Sequence, residues 1–189
     1  MPNFTLSDDH VYTLGDRVID GTTSILSAAG LIGNYGSQWY LDKGTAVHAV
    51  TQYYDKGTLD EDTIDPQIAG YLESWKRFRM DQDYMPIYYE LFLHDPVMLY
   101  AGTLDRLPLL DLKSGAYVPW HSLQMAAYWN LARVNGYQAE CLQPMGVYLQ
   151  EDGGTPKVKT YTQTEMRQEF KSFCSFLDTI RWKREKRVK

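Results

Sequence analysis

The chain has 189 residues, 44% of them hydrophobic and 14% aromatic, enough for a single domain over residues 1–189 to bury a substantial core. Two cysteines, Cys141 and Cys174, exclude a disulfide framework and cannot supply the four thiolates of an iron–sulfur cluster. No run approaches the roughly 18 apolar residues of a membrane span, and the net charge of −5 with a pI near 5.3 runs against a uniformly basic nucleic-acid binder. That charge is uneven. Residues 181–189 hold six basic side chains and one acid, a local +5, so residues 1–180 carry −10. An acidic body with a basic C-terminal tail suits an enzyme that gathers cations in a cleft, or simply a solvated tail. Asp8 and Asp9 stand where a leader would need basic residues, so a cytoplasmic location is expected.

In chain order, residues 1–23 read as irregular or as a short hairpin turning at Gly15-Asp16. Thr23 or Ser24 is placed to cap a first helix reaching about Ala29, which Gly30, Gly33 and Gly36 interrupt. A second helix is predicted from about Gly36 to Lys56, stopped by Gly57. A third runs from Pro66 to about Met80, with Asp65 as cap and Pro66 in its first turn. The period then changes to two: Ile87, Tyr89, Leu91 and Leu93 alternate with Tyr88, Glu90, Phe92 and His94, as in a strand.

Two further short strands are expected at 98–106 and 109–114, and Trp120, Gln124 and Tyr128 recur at helical spacing between about Pro119 and Val134. Strands at 145–150 and 157–161 flank the turn Asp152-Gly153-Gly154, and a helix from about Thr164 to Lys183 carries an apolar side of Phe170, Phe173, Phe176, Leu177 and Ile180. Helices, three strands, a helix, two strands and a helix make an α/β (α+β) domain. Fifteen tyrosines and five tryptophans serve such a core, or surfaces that stack on bases.

The chemistry concentrates between Tyr100 and Gly115. If residues 107–109, with Pro108 in the middle, form a three-residue hairpin loop, Asp105 lies directly across from Asp111, with Cβ atoms roughly 5 Å apart. Two carboxylates that close repel each other unless a proton or cation sits between them, and a divalent metal is the usual answer. Lys113, two residues beyond Asp111, shares its face. Its ammonium can orient a water or neutralise charge on a phosphorane-like transition state. Asp-x-Lys alone is weak, being equally a surface ion pair on a strand.

Its companions add weight: Gly44-Thr-Ala-Val-His48 on a helix, Gly102-Thr-Leu-Asp105 ending a strand, and Gln124-Met-Ala-Ala-Tyr128 putting an amide and a phenol on one helical face. Glu90, on the preceding strand, is placed either to join the acids or to face solvent. Arg106 is expected to point away from Asp105. Ser114 reads as a turn residue before Gly115.

The ordered series G-x-x-x-H, G-x-x-D, D-x-K and Q-x-x-x-Y resembles the RecB-like branch of the PD-(D/E)XK nuclease superfamily, as found in phage-type, CRISPR-associated and mitochondrial genome-maintenance-type exonucleases. Thr22-Thr-Ser-Ile-Leu26 is similar to a segment near the start of phage and mitochondrial members, so the likeness spans about residues 18–130. The resemblance implies a restriction-endonuclease-like core, a central mixed sheet flanked by helices. It implies that His48, Asp105, Asp111 and the backbone carbonyl of Leu112 bind one or two Mg²⁺ or Mn²⁺ ions, that Lys113 assists the attacking water, and that Gln124 and Tyr128 position the scissile phosphate.

The implied reaction is phosphodiester hydrolysis in DNA leaving 5′-phosphates, in recombination, replication or end processing, with room for a single-strand-binding or recombination protein as partner. A non-catalytic DNA-binding module and an endonuclease on the same fold are the alternatives. A histidine among the ligands favours manganese somewhat. The sequence departs from the pattern in the six-residue spacing of Asp105 and Asp111, in carrying Asp as the second acid, and in lacking the cysteines of the iron–sulfur-bearing relatives. No cluster of that kind is expected.

Overall fold

A computed structural model describes residues 3–33 and 38–188. Among them the chain forms β1 (Phe4–Leu6), β2 (Tyr12–Leu14), β3 (Arg17–Gly21), α1 (Thr22–Ala28), α2 (Gln38–Asp55), α3 (Pro66–Gln82), β4 (Tyr88–His94), β5 (Tyr100–Leu107), β6 (Leu110–Lys113), α4 (Trp120–Val134), β7 (Met145–Tyr148), β8 (Lys157–Thr160) and α5 (Gln163–Lys186). The strands make one mixed sheet in the order β1-β2-β3-β5-β6-β7-β8, with β4 on the other edge of β5. The pairs β3–β5 and β6–β7 are parallel and the rest antiparallel. The expected mixed sheet flanked by helices is therefore present.

The local signals account for most boundaries. Gly15, at φ 60°, turns β2 into β3 with Leu14 opposite Arg17. Asp65 caps α3 by accepting from the Gln67 amide at 2.9 Å, and Gly57 at φ 66° follows the end of α2. The expected start of α2 at Gly36 lies outside the described residues. The α1 cap differs: neither Thr23 nor Ser24 caps it. The chain leaves β3 directly into the helix at Gly21, and the Thr22 hydroxyl instead donates to the Ala101 carbonyl of β5 at 2.9 Å.

The last helix also differs. A Thr162/Glu165 capping box starts α5, which continues through the basic residues to Lys186. Arg184 pairs with Asp20, and Arg181 donates to the Leu99 carbonyl at 2.8 Å. Most of the expected tail is thus helix docked on the body rather than free chain.

Two large apolar cores lie beside the sheet, with a smaller cluster of Tyr12, Ile19 and Ala101 at β2, β3 and β5. One joins α1, α4 and α5 to β5 through residues such as Ile25, Leu104, Trp129 and Phe173. The other joins α2 and α3 to β6 and β7 through Val47, Trp75, Leu112 and Val147. The strand between them, β5, is where the sheet forks. Along one edge it pairs with β4. On the other edge β3 pairs with Tyr100–Ala101 and β6 pairs at Arg106, leaving residues 102–105 at the opening between them. Gly102 belongs there because a Cβ would meet Tyr128 Cε1 at 2.7 Å and Thr22 Oγ1 at 2.9 Å. Its missing side chain lets α1 and α4 close over the fork.

Candidate functional site

Five elements, β4, β5, β6, α2 and α4, bring polar groups to that fork. The β5–β6 hairpin pairs Arg106 with Leu110, so its loop is residues 107–109 and Asp105 falls opposite Asp111, as the spacing predicts. Both acids are buried, as is the Leu112 side chain between β6 and the second core. Asp105 is fixed by the hairpin itself: its Oδ2 accepts from the Leu112 amide at 2.6 Å.

His48 reaches in from α2. Its Nε2 is 3.2 Å from the Leu112 carbonyl oxygen. A carbonyl only accepts, so Nε2 carries the hydrogen. That leaves Nδ1 directed at acid oxygens, 3.5 Å from Asp105 Oδ1 and 3.8 Å from Glu90 Oε1. A metal-binding histidine is commonly held this way, with its second nitrogen donating to a backbone carbonyl. Leu112 therefore touches the site through His48.

Glu90 completes the group. One ligand atom each from His48, Glu90 and Asp105 lies within 4.8 Å of the others. Pairing of β4 with β5 is interrupted at Glu90 and Asp105, where Glu90 adopts φ 45°. Alternation does not hold across that break: Asp105 contacts His48 while its neighbour Arg106 contacts Thr51 and Asp55, all three on α2. Arg106 was expected on the opposite side. It is instead fully buried behind the acids, donating to Asp55 at 3.0 Å, to Thr51 at 3.1 Å and to the Asp105 carbonyl at 2.8 Å.

Arg106 Nη1 also lies 3.6 Å from Glu90 Oε1. That oxygen is buried and makes no hydrogen bond. A buried carboxylate oxygen without a donor is costly, and a cation bound by these three residues would satisfy it. The donor set, one imidazole nitrogen and two carboxylates, suits a divalent ion.

Burial draws the His48 pKa down, but the carboxylates of Asp105 and Glu90 outweigh it, and the net shift is upward. The attraction that favours a proton on Nδ1 is the attraction that would favour a metal there.

The second half of the site is a hydrogen-bonded chain. Lys113 Nζ sits 2.7 Å from Asp111 Oδ2 and donates to Gln124 Oε1 at 2.9 Å, and Gln124 Nε2 donates to the Tyr128 hydroxyl at 3.0 Å. Burial raises the Asp111 pKa; Lys113 opposes this and Asp105 adds to it, with a net rise. Burial, then Asp111 and Asp105, hold the Tyr128 phenol well above its ordinary value, so it remains a proton donor. The tight three-residue group thus takes Glu90 at the place where the sequence pointed to Asp111, while Asp111 turns to Lys113.

Two clefts open onto the group. One, of about 340 Å³, is lined by Tyr12, Thr22, Glu90, Thr103, Asp105 and Tyr128. The other, of about 360 Å³, runs along α2 past Gly44, Thr45, His48, Gln52 and Glu90. His10, in the loop between β1 and β2, lines both. Sequence reasoning missed Tyr12, whose hydroxyl is 2.8 Å from that of Thr103, and His121. The latter is buried in the first turn of α4 with Nδ1 3.1 Å from the Tyr148 hydroxyl. Burial, helped by Lys113, lowers the His121 pKa to about 4. Neither residue has a sequence spacing that ties it to Asp105.

No family model and no curated protein matches the chain. Among solved structures it is similar to a protein from Eubacterium rectale described as a candidate exonuclease. The two are 15% identical with a TM-score of 0.53, over 83% of this chain and 71% of the other. At that identity the likeness is one of fold.

Proposed function

We propose that this protein is a metal-dependent deoxyribonuclease of the RecB-like PD-(D/E)XK type, its residues acting as one nuclease domain. The observation that carries the reading is the convergence of His48, Glu90 and Asp105 around the hydrogen-bond-deficient Glu90 oxygen, with Lys113 held beside Asp111 across the hairpin. The likeness to an exonuclease-like fold supports it. When bound, Mg²⁺ or Mn²⁺ would supply Lewis acidity to a phosphodiester oxygen and acidify a water. His48, Glu90 and Asp105 would hold it, and Asp111 would share its charge with Lys113.

The side chains divide the remaining work. Lys113 directs its ammonium at the attacking water or at the charge developing on phosphorus. Gln124 fixes Lys113, and the protonated Tyr128 phenol, in the cleft beside Asp105, donates to a non-bridging phosphate oxygen. DNA is the substrate of this reading, 5′-phosphates the product, and removal of nucleotides from ends the mode, as in phage-type recombination, replication or end processing.

Linear and closed circular DNA, each labelled, test it in the presence of Mn²⁺ or Mg²⁺. The expected result is nucleotide release from the linear form, sparing of the circle, and complete inhibition by a chelator. Lys113→Ala should reduce the rate by about a hundredfold or more, the loss typical of a preorganised charge at a reaction centre. Cleavage that persists in Lys113→Ala would sink the catalytic assignment. Cutting of the circle would make the enzyme an endonuclease. DNA binding without hydrolysis would leave a non-catalytic module.

A further inference from the structure

Away from the two clefts at the acids, a third carries charge of the opposite sign. A groove of about 400 Å³ lies between β3 and the last turns of α5, lined by Arg17, Ile19, Asp20, Leu99, Arg181 and Arg184. Arg181 and Arg184 stand three residues apart on one helical face. Arg181 is anchored on the Leu99 carbonyl, and Arg184 holds both oxygens of Asp20 at 2.7 and 2.9 Å. The side chain of Arg17 is exposed and makes no ion pair or hydrogen bond among the described residues. Lys183 and Arg187 are exposed on the same turns. This is where positive charge gathers in a chain whose residues 1–180 carry −10.

The position of the groove matters as much as its charge. Arg17–Asp20 of β3 line it, and the next residues, Gly21–Ser24, line the cleft that contains Asp105 and Glu90. One strand therefore runs from the arginines to the acids. At about 3.3 Å per residue, Arg17 and Gly21 are about 13 Å apart along it, a few nucleotide steps. An acidic catalytic cleft repels a polyanion, so a substrate strand needs cationic contacts just outside it.

We propose that the Arg17/Arg181/Arg184 groove binds the backbone phosphates of the nucleic-acid strand that enters the catalytic cleft along β3. The inference rests on the nuclease reading for the identity of the strand. Contact is with phosphates, so the groove contributes affinity and direction of entry without base preference. The groove's salt-dependent affinity is separable from cleavage chemistry.

The test measures binding of a fluorescein-labelled oligonucleotide, single-stranded and duplex, by anisotropy in Ca²⁺ between 50 and 300 mM salt. The proteins compared are the full-length wild type, Arg17→Gln, Arg17→Gln/Arg184→Gln, and the control Arg77→Gln/Arg167→Gln. The control removes the same charge from exposed residues that line neither of the two clefts at the acids nor the arginine groove, Arg77 facing a separate pocket beside Tyr54. Unchanged Tm in Arg17→Gln, whose side chain supports nothing else, separates binding from folding.

The expected result is a loss of more than about tenfold in affinity at 0.1 M salt for the groove double variant. The slope of log K against log salt should become shallower by nearly one per arginine on duplex, and by slightly less on single strands. Slopes equal to those of the control would overturn the proposal. Equal arginine-dependent binding of a labelled polyglutamate peptide would also overturn it, in favour of an acidic protein partner. If no variant or wild type cleaves DNA but the groove variants bind it more weakly, the groove stands and the catalytic reading fails. If cleavage is normal and the slopes do not move, the groove fails alone.

Discussion

Glu90 is the residue on which sequence and structure differ most usefully. A lone strand carboxylate has no spacing that marks it, because strand residues alternate between core and solvent whatever their chemistry. What places it is register. The β4–β5 ladder puts Tyr89 opposite Arg106 and Leu91 opposite Leu104, so Glu90 faces Asp105, and the unpaired geometry at φ 45° frees it from the ladder. The placement of Asp105 opposite Asp111 and of Gln124 one turn from Tyr128 was legible in local spacing, whereas His48 shares neither hairpin nor helical turn with them and was reached only through the order of the motifs. The closure of Glu90 on His48 depends on a strand and a helix 42 residues apart in sequence. Glu90→Gln keeps the shape and removes the charge. It should weaken Mn²⁺ binding by more than about tenfold, the scale set by removal of a partner at a metal site, with little change in Tm of the metal-free protein. Isothermal titration in Mn²⁺ measures this, and an unchanged Kd would remove Glu90 from the ligand set.

At the scale of elements, the three-residue loop was legible because Pro108 sits midway between two acids six residues apart, and only one register then places them face to face. The α1 cap and the end of α5 were not legible. Helix α1 is launched by strand pairing rather than by a capping side chain, and α5 extends because Arg181 and Arg184 find partners on β3 and on the turn before β5. The first turn of α4 carries a pH dependence of its own. The His121 Nδ1 accepts from the Val118 amide at 3.4 Å and lies 3.1 Å from the Tyr148 hydroxyl, so the folded protein holds this ring neutral. Its folded pKa of about 4 lies below its unfolded value of about 6.5. Acidification therefore protonates the unfolded state first. The contribution is fully present above pH 6.5, declines between about 6.5 and 4, and is absent below. Its upper bound is roughly 3 kcal/mol at 1.36 kcal/mol per pKa step. Denaturant titrations at pH 7 and pH 5 should show a smaller loss of stability in His121→Asn than in wild type, and an identical loss would show that other groups carry the acid sensitivity.

For the whole molecule, the balance of charge sets the last expectation. The sheet collects Glu90, Asp105 and Asp111 near its fork, and α2 and α4 supply only His48, the Lys113-holding Gln124 and the phenol of Tyr128 against them. Behind the acids, Arg106 is shared between Asp55 and Glu90, Arg79 also pairs with Asp55, and Lys113 is held by Asp111, so three carboxylates at the fork face one lysine and a shared arginine. Pattern in the sequence predicted that acids would face each other; it could not show how much of their charge the interior would absorb, because Arg106 was expected to point away. A bound divalent ion should therefore stabilise the folded state over the unfolded chain, which has no assembled site. Saturation at about a hundred times Kd contributes about 2.7 kcal/mol, or an increase of roughly 5–10 °C in Tm for a chain of this size. Differential scanning fluorimetry in Mn²⁺, Mg²⁺ and chelator measures it. His48→Ala and Glu90→Gln should each cut the metal-dependent increase to about half or less, whereas Lys113→Ala, which leaves all three proposed ligands in place and removes a competing cation from Asp111, should retain it. A Tm that ignores the metal in the wild type, or an increase that survives loss of both His48 and Glu90, would mean that the three-residue group does not bind the ion.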